Sequence, residues 1–215
     1  MNEDAMRTVP NELLLDLGAL TLYDHAVIVD DSSSMRSKLA PDVSRGKFVG
    51  HILRNIQKMN SVINGSDGRG LKGLYFASAS TSVPQGFEQP STISGESKIG
   101  TCLWNEIVRP LLDEKKPKRP LVITIITDGE VDPMEANILE RAMLQAARKM
   151  QKLRAPGALL FQFVNVGKSS AESNGDGHEM LRVLARQSEL ARYVDIVDWQ
   201  RGMCSRLRII MCTLH

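Results

Sequence analysis

The sequence predicts an α/β fold: a doubly wound, mainly parallel central sheet flanked by helices on both faces. Two observations predict it. Three short apolar runs, "AVIVD" at 26–30, "LVITIIT" at 121–127 and "LLFQFVNV" at 159–166, stand well apart in the chain, and the first two are continuously apolar rather than alternating. That pattern suits strands buried on both faces of a parallel sheet. Segments with helical spacing lie between the runs, and strands that alternate with helices imply crossovers and parallel pairing.

In chain order, residues 1–21 read as an N-terminal arm, in which "NELLLDLGAL" has the amphipathic pattern of a packed helix. Residues 22–215 read as one domain. After the strand at 26–30, "RGKFVGHILRNIQKM" places Phe48, Val49, Ile52, Leu53, Ile56 and Met59 at three- and four-residue steps, which predicts a helix. The stretch 60–100 is rich in Gly, Ser and Pro and reads as loop, with "GLYFASAS" at 73–80 as a weaker strand. "GTCLWNEIVRPLL" spaces Leu103, Ile107 and Leu111 as a helix that Pro110 must kink or end. "MEANILERAMLQAARKMQKL" is made of strong helix formers, with Pro133 just ahead as its start. "GHEMLRVLARQSEL", the strand "YVDIVDW" at 193–199 and a last helix, "RGMCSRLRIIMCTL", complete the pattern.

Composition excludes several classes. The net charge of +2 is close to balanced, so nothing global points to nucleic acid or an anionic membrane. No apolar stretch approaches the roughly 20 residues that span a bilayer. Cys102, Cys204 and Cys212 form neither a C-x-x-C pair nor a metal-ligand spacing, so a reduced compartment fits. "MNEDAMRTVP" lacks a basic region followed by an apolar run and does not read as a secretory signal. The expectation is a cytoplasmic protein.

The stretch that asks for an explanation is "VIVDDSSSM" at 27–35, where a buried strand runs into five oxygen-bearing side chains. In this fold class ligands sit at the carboxyl ends of strands. Asp30, Ser32 and Ser34 lie at one such end, and alternate residues of a tight loop can point the same way. Asp128, in "IITDGE", lies at the end of another. Hard oxygens suit a hard cation, and Mg²⁺ binds through a few protein oxygens while keeping waters.

"DDSSSM" (30–35), "GTCLW" (100–104) and "TDGE" (127–130) together resemble the metal-ion-dependent adhesion site of von Willebrand factor type A domains. That pattern is Asp-x-Ser-x-Ser, a distant Thr, then Asp in a Thr-Asp-Gly context. The resemblance covers roughly 22–214 and implies a Rossmann-like domain. Its implied metal ligands are Asp30, Ser32, Ser34, Thr101 and Asp128, with Gly100 and Gly129 also matching. The implied cofactor is a divalent cation, Mg²⁺ before Mn²⁺ or Ca²⁺. The implied activity is not catalysis but protein binding: neutral hydroxyls leave the cation its charge, and a partner's Asp or Glu completes the shell. In the family the last helix can move with ligand binding. Ser33 stands where many members have Gly, and Asp31 adds a carboxylate.

Each piece has a plainer reading. Asp30 and the serines suit a capped strand-to-helix turn, Thr101 a helix N-cap, and Asp128 a turn before Gly129. "GRGLKG" (68–73) reads G-x-G-x-x-G, but a helix precedes it and a strand follows, so it reads as a loop rather than a dinucleotide site. "KKPKR" (115–119) reads as a solvated loop at the opposite end of the sheet. His25 lies at the wrong end of its strand, His51 in a helix and His178 without partners, so no zinc site follows. Met134, Met143 and Met150 read as core and surface filler. Three functions therefore compete: a metal-dependent interaction module, a metal-dependent hydrolase or phosphotransferase in which Asp30, Asp128 and Glu130 or Asp132 flank the cation, and a metal-independent scaffold. Against the second, no general base with an orienting partner and no phosphate-cradling loop is visible.

Overall fold

The run "LVITIIT" becomes a strand in which every residue is buried, Leu121–Thr127, and the rest of the sheet is arranged around it. The computed structural model describes residues 22–40, 43–46, 49–50, 52–53, 71–77, 95–113, 117–167 and 176–198. The strands in chain order are β1 (Asp24–Val29), β2 (Lys38–Ala40), β3 (Val43–Ser44), β4 (Leu71–Phe76), β5 (Leu121–Thr127), β6 (Leu159–Asn165) and β7 (Val194–Asp198). Five of them form one sheet in the order β4-β1-β5-β6-β7. Every pairing in it is parallel.

The register aligns the carboxyl ends of these strands. Val29 pairs with Phe76 on one side and Ile126 on the other, Thr127 pairs with Asn165, and Asn165 with Asp198. Asp30 and Asp128 therefore emerge at the same edge. The chain leaves β1 for β4 on one flank and later enters β5 on the other, so the two aspartates sit where the winding reverses.

The alternation of each strand sends side chains to two cores. Ala26, Ile28, Ile123, Ile125, Phe161 and Phe163 meet three helices on one face. The first, α1, comprises Ile99–Cys102, a π-helical stretch Leu103–Val108 and Arg109–Asp113. The second, α2, is Pro133–Lys152, and the third, α3, is Asp176–Arg186. The apolar stripe of α2 is Leu139, Ala142, Met143, Ala146, Ala147 and Met150, the three- and four-residue spacing of a core-facing helix. On the other face Val27, Val29, Ile126 and Val164 pack with Met35, Val49, Ile52 and Leu53. Each fully buried aliphatic side chain contributes about 1.5–3 kcal/mol.

The expected strands and helices form where their residues are described. Residues 45–46, 49–50 and 52–53 are helical, as "RGKFVGHILRNIQKM" predicts. Met143 and Met150 are core, and Met134 is exposed. The arm at 1–21, the last helix at 201–214 and most of 60–100 lie outside the described residues.

Three expectations change. Of the two outcomes expected at Pro110, a kink or an end, the end does not occur, because the helix continues to Asp113. Proline removes an i→i−4 bond and crowds the preceding turn, and the π-helical stretch ahead of it widens that turn. The peptide N–H of Arg109 accordingly bonds Trp104 five residues back. "GRGLKG" is not wholly loop, since residues 71–73 already belong to β4. An unforeseen two-stranded antiparallel hairpin, β2–β3, follows the serine loop, with Lys38 opposite Ser44 and Ala40 opposite Val43.

Candidate functional site

After β1 the chain turns through Asp30, Asp31 and Ser32 into a single 3-10 turn, Ser33–Arg36. Met35 points into the second core and anchors that turn. Aspartate suits this bend because its carboxylate substitutes for a backbone turn acceptor: Asp30 Oδ1 accepts from the Ser32 peptide N–H at 3.0 Å. The Thr127 hydroxyl, from the end of β5, donates to Asp30 Oδ2 at 2.8 Å. The hydroxyls of Ser32 and Ser34 are 2.9 Å apart, so the alternate spacing does turn both the same way.

Asp128 folds over the end of β5 in the same manner. Its Oδ1 accepts from the Glu130 N–H at 3.0 Å, and Thr127 Oγ1 accepts from the Gly129 N–H at 2.9 Å. Gly129 takes φ of 81°, the left-handed region that favours glycine. The plainer turn readings of Asp30 and Asp128 are therefore correct as far as they go, and both carboxylates remain buried at the sheet edge. Burial pushes the Asp30 carboxyl up to about 6, and the Asp128 charge adds to the effect; bonds from Ser32 and Thr127 oppose it.

Arg45 joins them. The β2–β3 hairpin returns the chain so that the Arg45 N–H bonds the Ser37 carbonyl at 3.0 Å. Its Nη1 then donates to the Ser34 carbonyl oxygen at 3.0 Å and forms a buried ion pair with Asp128 Oδ2. Glu130 Oε1 forms a second, looser ion pair 3.6 Å from the same nitrogen. Arg45 Nε is buried without an acceptor.

Thr101 is placed differently from the expectation of an N-cap. It lies inside the first turn of α1, whose N-cap residue is Lys98. Its N–H donates to Glu135 Oε2 at 2.9 Å and its hydroxyl to Glu135 Oε1 at 2.6 Å. Glu135, in the first turn of α2, thus satisfies a part-buried first-turn donor of α1 that has no partner within its own helix. The segment leading to Thr101 touches the serine loop, because the Ser33 N–H bonds the Gly95 carbonyl at 3.2 Å. Ser97, between these points, is buried with an unpartnered hydroxyl. Gly100 lets α1 sit on α2, since a Cβ there would stand 2.3 Å from the Glu135 carbonyl oxygen.

Of the five expected ligands, then, Asp30, Ser32, Ser34 and Asp128 converge through their own bonds and through Arg45, while Thr101 is held by Glu135. Arg45, Thr127 and Glu135 were not foreseen. Arg45 reaches Asp128 across 83 positions of sequence, and no local pattern signals it. Glu135 carries a weak signal, an acid in the first turn of a helix. Thr127 stands inside the quoted "TDGE" but was read only as context. Asp132 caps α2 by accepting from the Met134 N–H at 2.8 Å, so it is engaged away from the pair. His25 is the second residue of β1, at the far end of the sheet.

The donor set fits a hard cation. It offers two buried carboxylates and two paired hydroxyls, all oxygen, with no thiol or imidazole among them. Among the described residues no group of three or more His, Cys, Asp or Glu side chains is placed to hold a metal. No helix among the described residues is long and apolar enough to cross a membrane. No family model matches the chain, and no curated protein matches it.

Proposed function

We propose that this chain is a protein-interaction module of the von Willebrand factor A type, which binds a partner's Asp or Glu through a divalent cation. The observation that carries the reading is the meeting of Asp30 and Asp128, from adjacent parallel strands, beside the paired hydroxyls of Ser32 and Ser34. Asp30, Ser32, Ser34 and Asp128 would hold the ion, joined by Thr101 once its hydroxyl leaves Glu135. When bound, the cation supplies a Lewis-acidic position open to an acidic oxygen. The protein's part is to fix the carboxylates: Thr127 and the Ser32 N–H orient Asp30, and the Glu130 N–H orients Asp128. Mg²⁺ is the first choice of ion, with Mn²⁺ and Ca²⁺ after it, and the cytoplasm the expected compartment.

A metal-independent scaffold is the second reading, favoured by the Arg45–Asp128 ion pair. A pull-down with wild type and Asp128→Ala, in Mg²⁺ and in chelator, separates the two. The proposal expects partners that are lost both in chelator and in the variant. Identical recoveries under all conditions would overturn it.

A further inference from the structure

We infer that Arg45 is a tethered cation that competes with the metal ion for Asp128, and that Glu130 receives its guanidinium when the ion enters. This rests on the proposed cation site and names what regulates it. Three observations point to exchange rather than to a fixed strut. First, the Arg45 guanidinium, which also holds the Ser34 carbonyl, occupies the Asp128 carboxylate, one of the two acidic groups a cation there requires. A guanidinium and a divalent ion on one carboxylate repel each other strongly at low dielectric. Second, the buried Arg45 Nε has no acceptor, and an ion pair that leaves a donor unsatisfied is a poor permanent occupant. Third, the outer carboxylate of Glu130, largely exposed, already stands 3.6 Å from Nη1. Movement of the guanidinium outward would exchange its contacts with the Ser34 carbonyl and Asp128 for Glu130. The hairpin bond from the Arg45 N–H to Ser37 leaves the backbone in place.

The exchange makes metal affinity depend on a residue that is not a ligand. The bound ion must displace one positive charge from a buried partner, so the wild-type site binds more weakly than its oxygens alone would. Glu130 lessens that penalty by giving the displaced charge somewhere to go.

The test is Mn²⁺ binding, followed by the loss of free-ion paramagnetic resonance signal, for wild type, Arg45→Met, Arg45→Lys, Glu130→Gln, Arg45→Met/Glu130→Gln and Asp128→Ala. Arg45→Met is expected to bind Mn²⁺ at least tenfold tighter than wild type, with Arg45→Lys between them. Glu130→Gln is expected to weaken binding several-fold in the wild-type background and to change it less than twofold in Arg45→Met. A structural role for Arg45 would not produce that dependence of one substitution on the other. Equal or weaker binding by Arg45→Met, while Asp128→Ala abolishes binding, overturns the exchange and leaves the cation site standing. Absence of Mn²⁺ binding in every variant overturns both. Should Arg45→Met fail to fold, Arg45→Lys against Glu130→Gln carries the same comparison.

Discussion

Gly100→Ala is a sharp perturbation because ordinary helix energetics and this structure predict opposite signs. In an exposed helix interior the exchange stabilises by about 1 kcal/mol, through the backbone entropy glycine loses on folding. Here the new Cβ would stand 2.3 Å from the Glu135 carbonyl oxygen and 2.6 Å from the Leu139 nitrogen. Both are backbone atoms of α2, so no flexible side-chain tip can yield. Relief requires the start of α1 to retreat by about 1 Å, and overpacking of that kind costs about 1–3 kcal/mol. The balance is a loss of up to roughly 2 kcal/mol, or as much as several degrees in Tm for a domain of this size. Calorimetric melting of the two proteins measures it. Gly157→Ala is the control, since nothing lies within 4 Å of a Cβ at that position, and its Tm should stay level or rise slightly. A Tm for Gly100→Ala above wild type would refute the packing of α1 on α2 from which the position of Thr101 is derived.

Thr127→Val should lower stability by about 2–4 kcal/mol in urea unfolding, because it orphans the Gly129 N–H and strips a donor from buried Asp30. A loss below 1 kcal/mol would mean the hydroxyl is not the link between β1 and β5. Burial pushes the Cys102 thiol up to about 12, with the carboxylates of Glu106, Asp31 and Glu135 adding to it. In a Cys204→Ser/Cys212→Ser background, Cys102 should therefore react with a disulfide reagent at pH 8 only as fast as the chain opens. Because its folded value lies above 9.0, the folded state holds the proton longer, so stability is untouched below about pH 9 and falls from there towards pH 12. The slope is at most about 1.4 kcal/mol per pH unit. Arg148→Ala, which removes a largely exposed ion pair with Glu189, should leave the urea midpoint almost unchanged, because solvent screens such a pair.

The strands were legible because burial on both faces leaves a direct trace: β5 is mostly apolar, buried from end to end, and its bounds coincide with "LVITIIT". The stripe of α2 was legible for the same reason, and Pro133 marked its start, while the N-cap role of Asp132 was not read. Non-local ties left no such trace. The β2–β3 hairpin is too short for a periodic signal, yet it delivers Arg45 to Asp128. Glu135 takes Thr101 through two bonds that neither residue's neighbours announce. Pro110 carried a true signal about the helix, but the chain answered by widening a turn rather than by stopping. The oxygen atoms of the site were thus readable in sequence, while the charges that compete for them were not.

The central claim is that Asp30 and Asp128 share one divalent ion whose coordination they leave incomplete. Water-proton relaxation with Mn²⁺ tests it most directly, because the enhancement counts exchangeable waters on the protein-bound ion. The account predicts enhancement in wild type, its reduction when a short acidic peptide is added, and its loss in Asp30→Ala and Asp128→Ala. No enhancement in wild type, or the same enhancement in all three proteins, would contradict it.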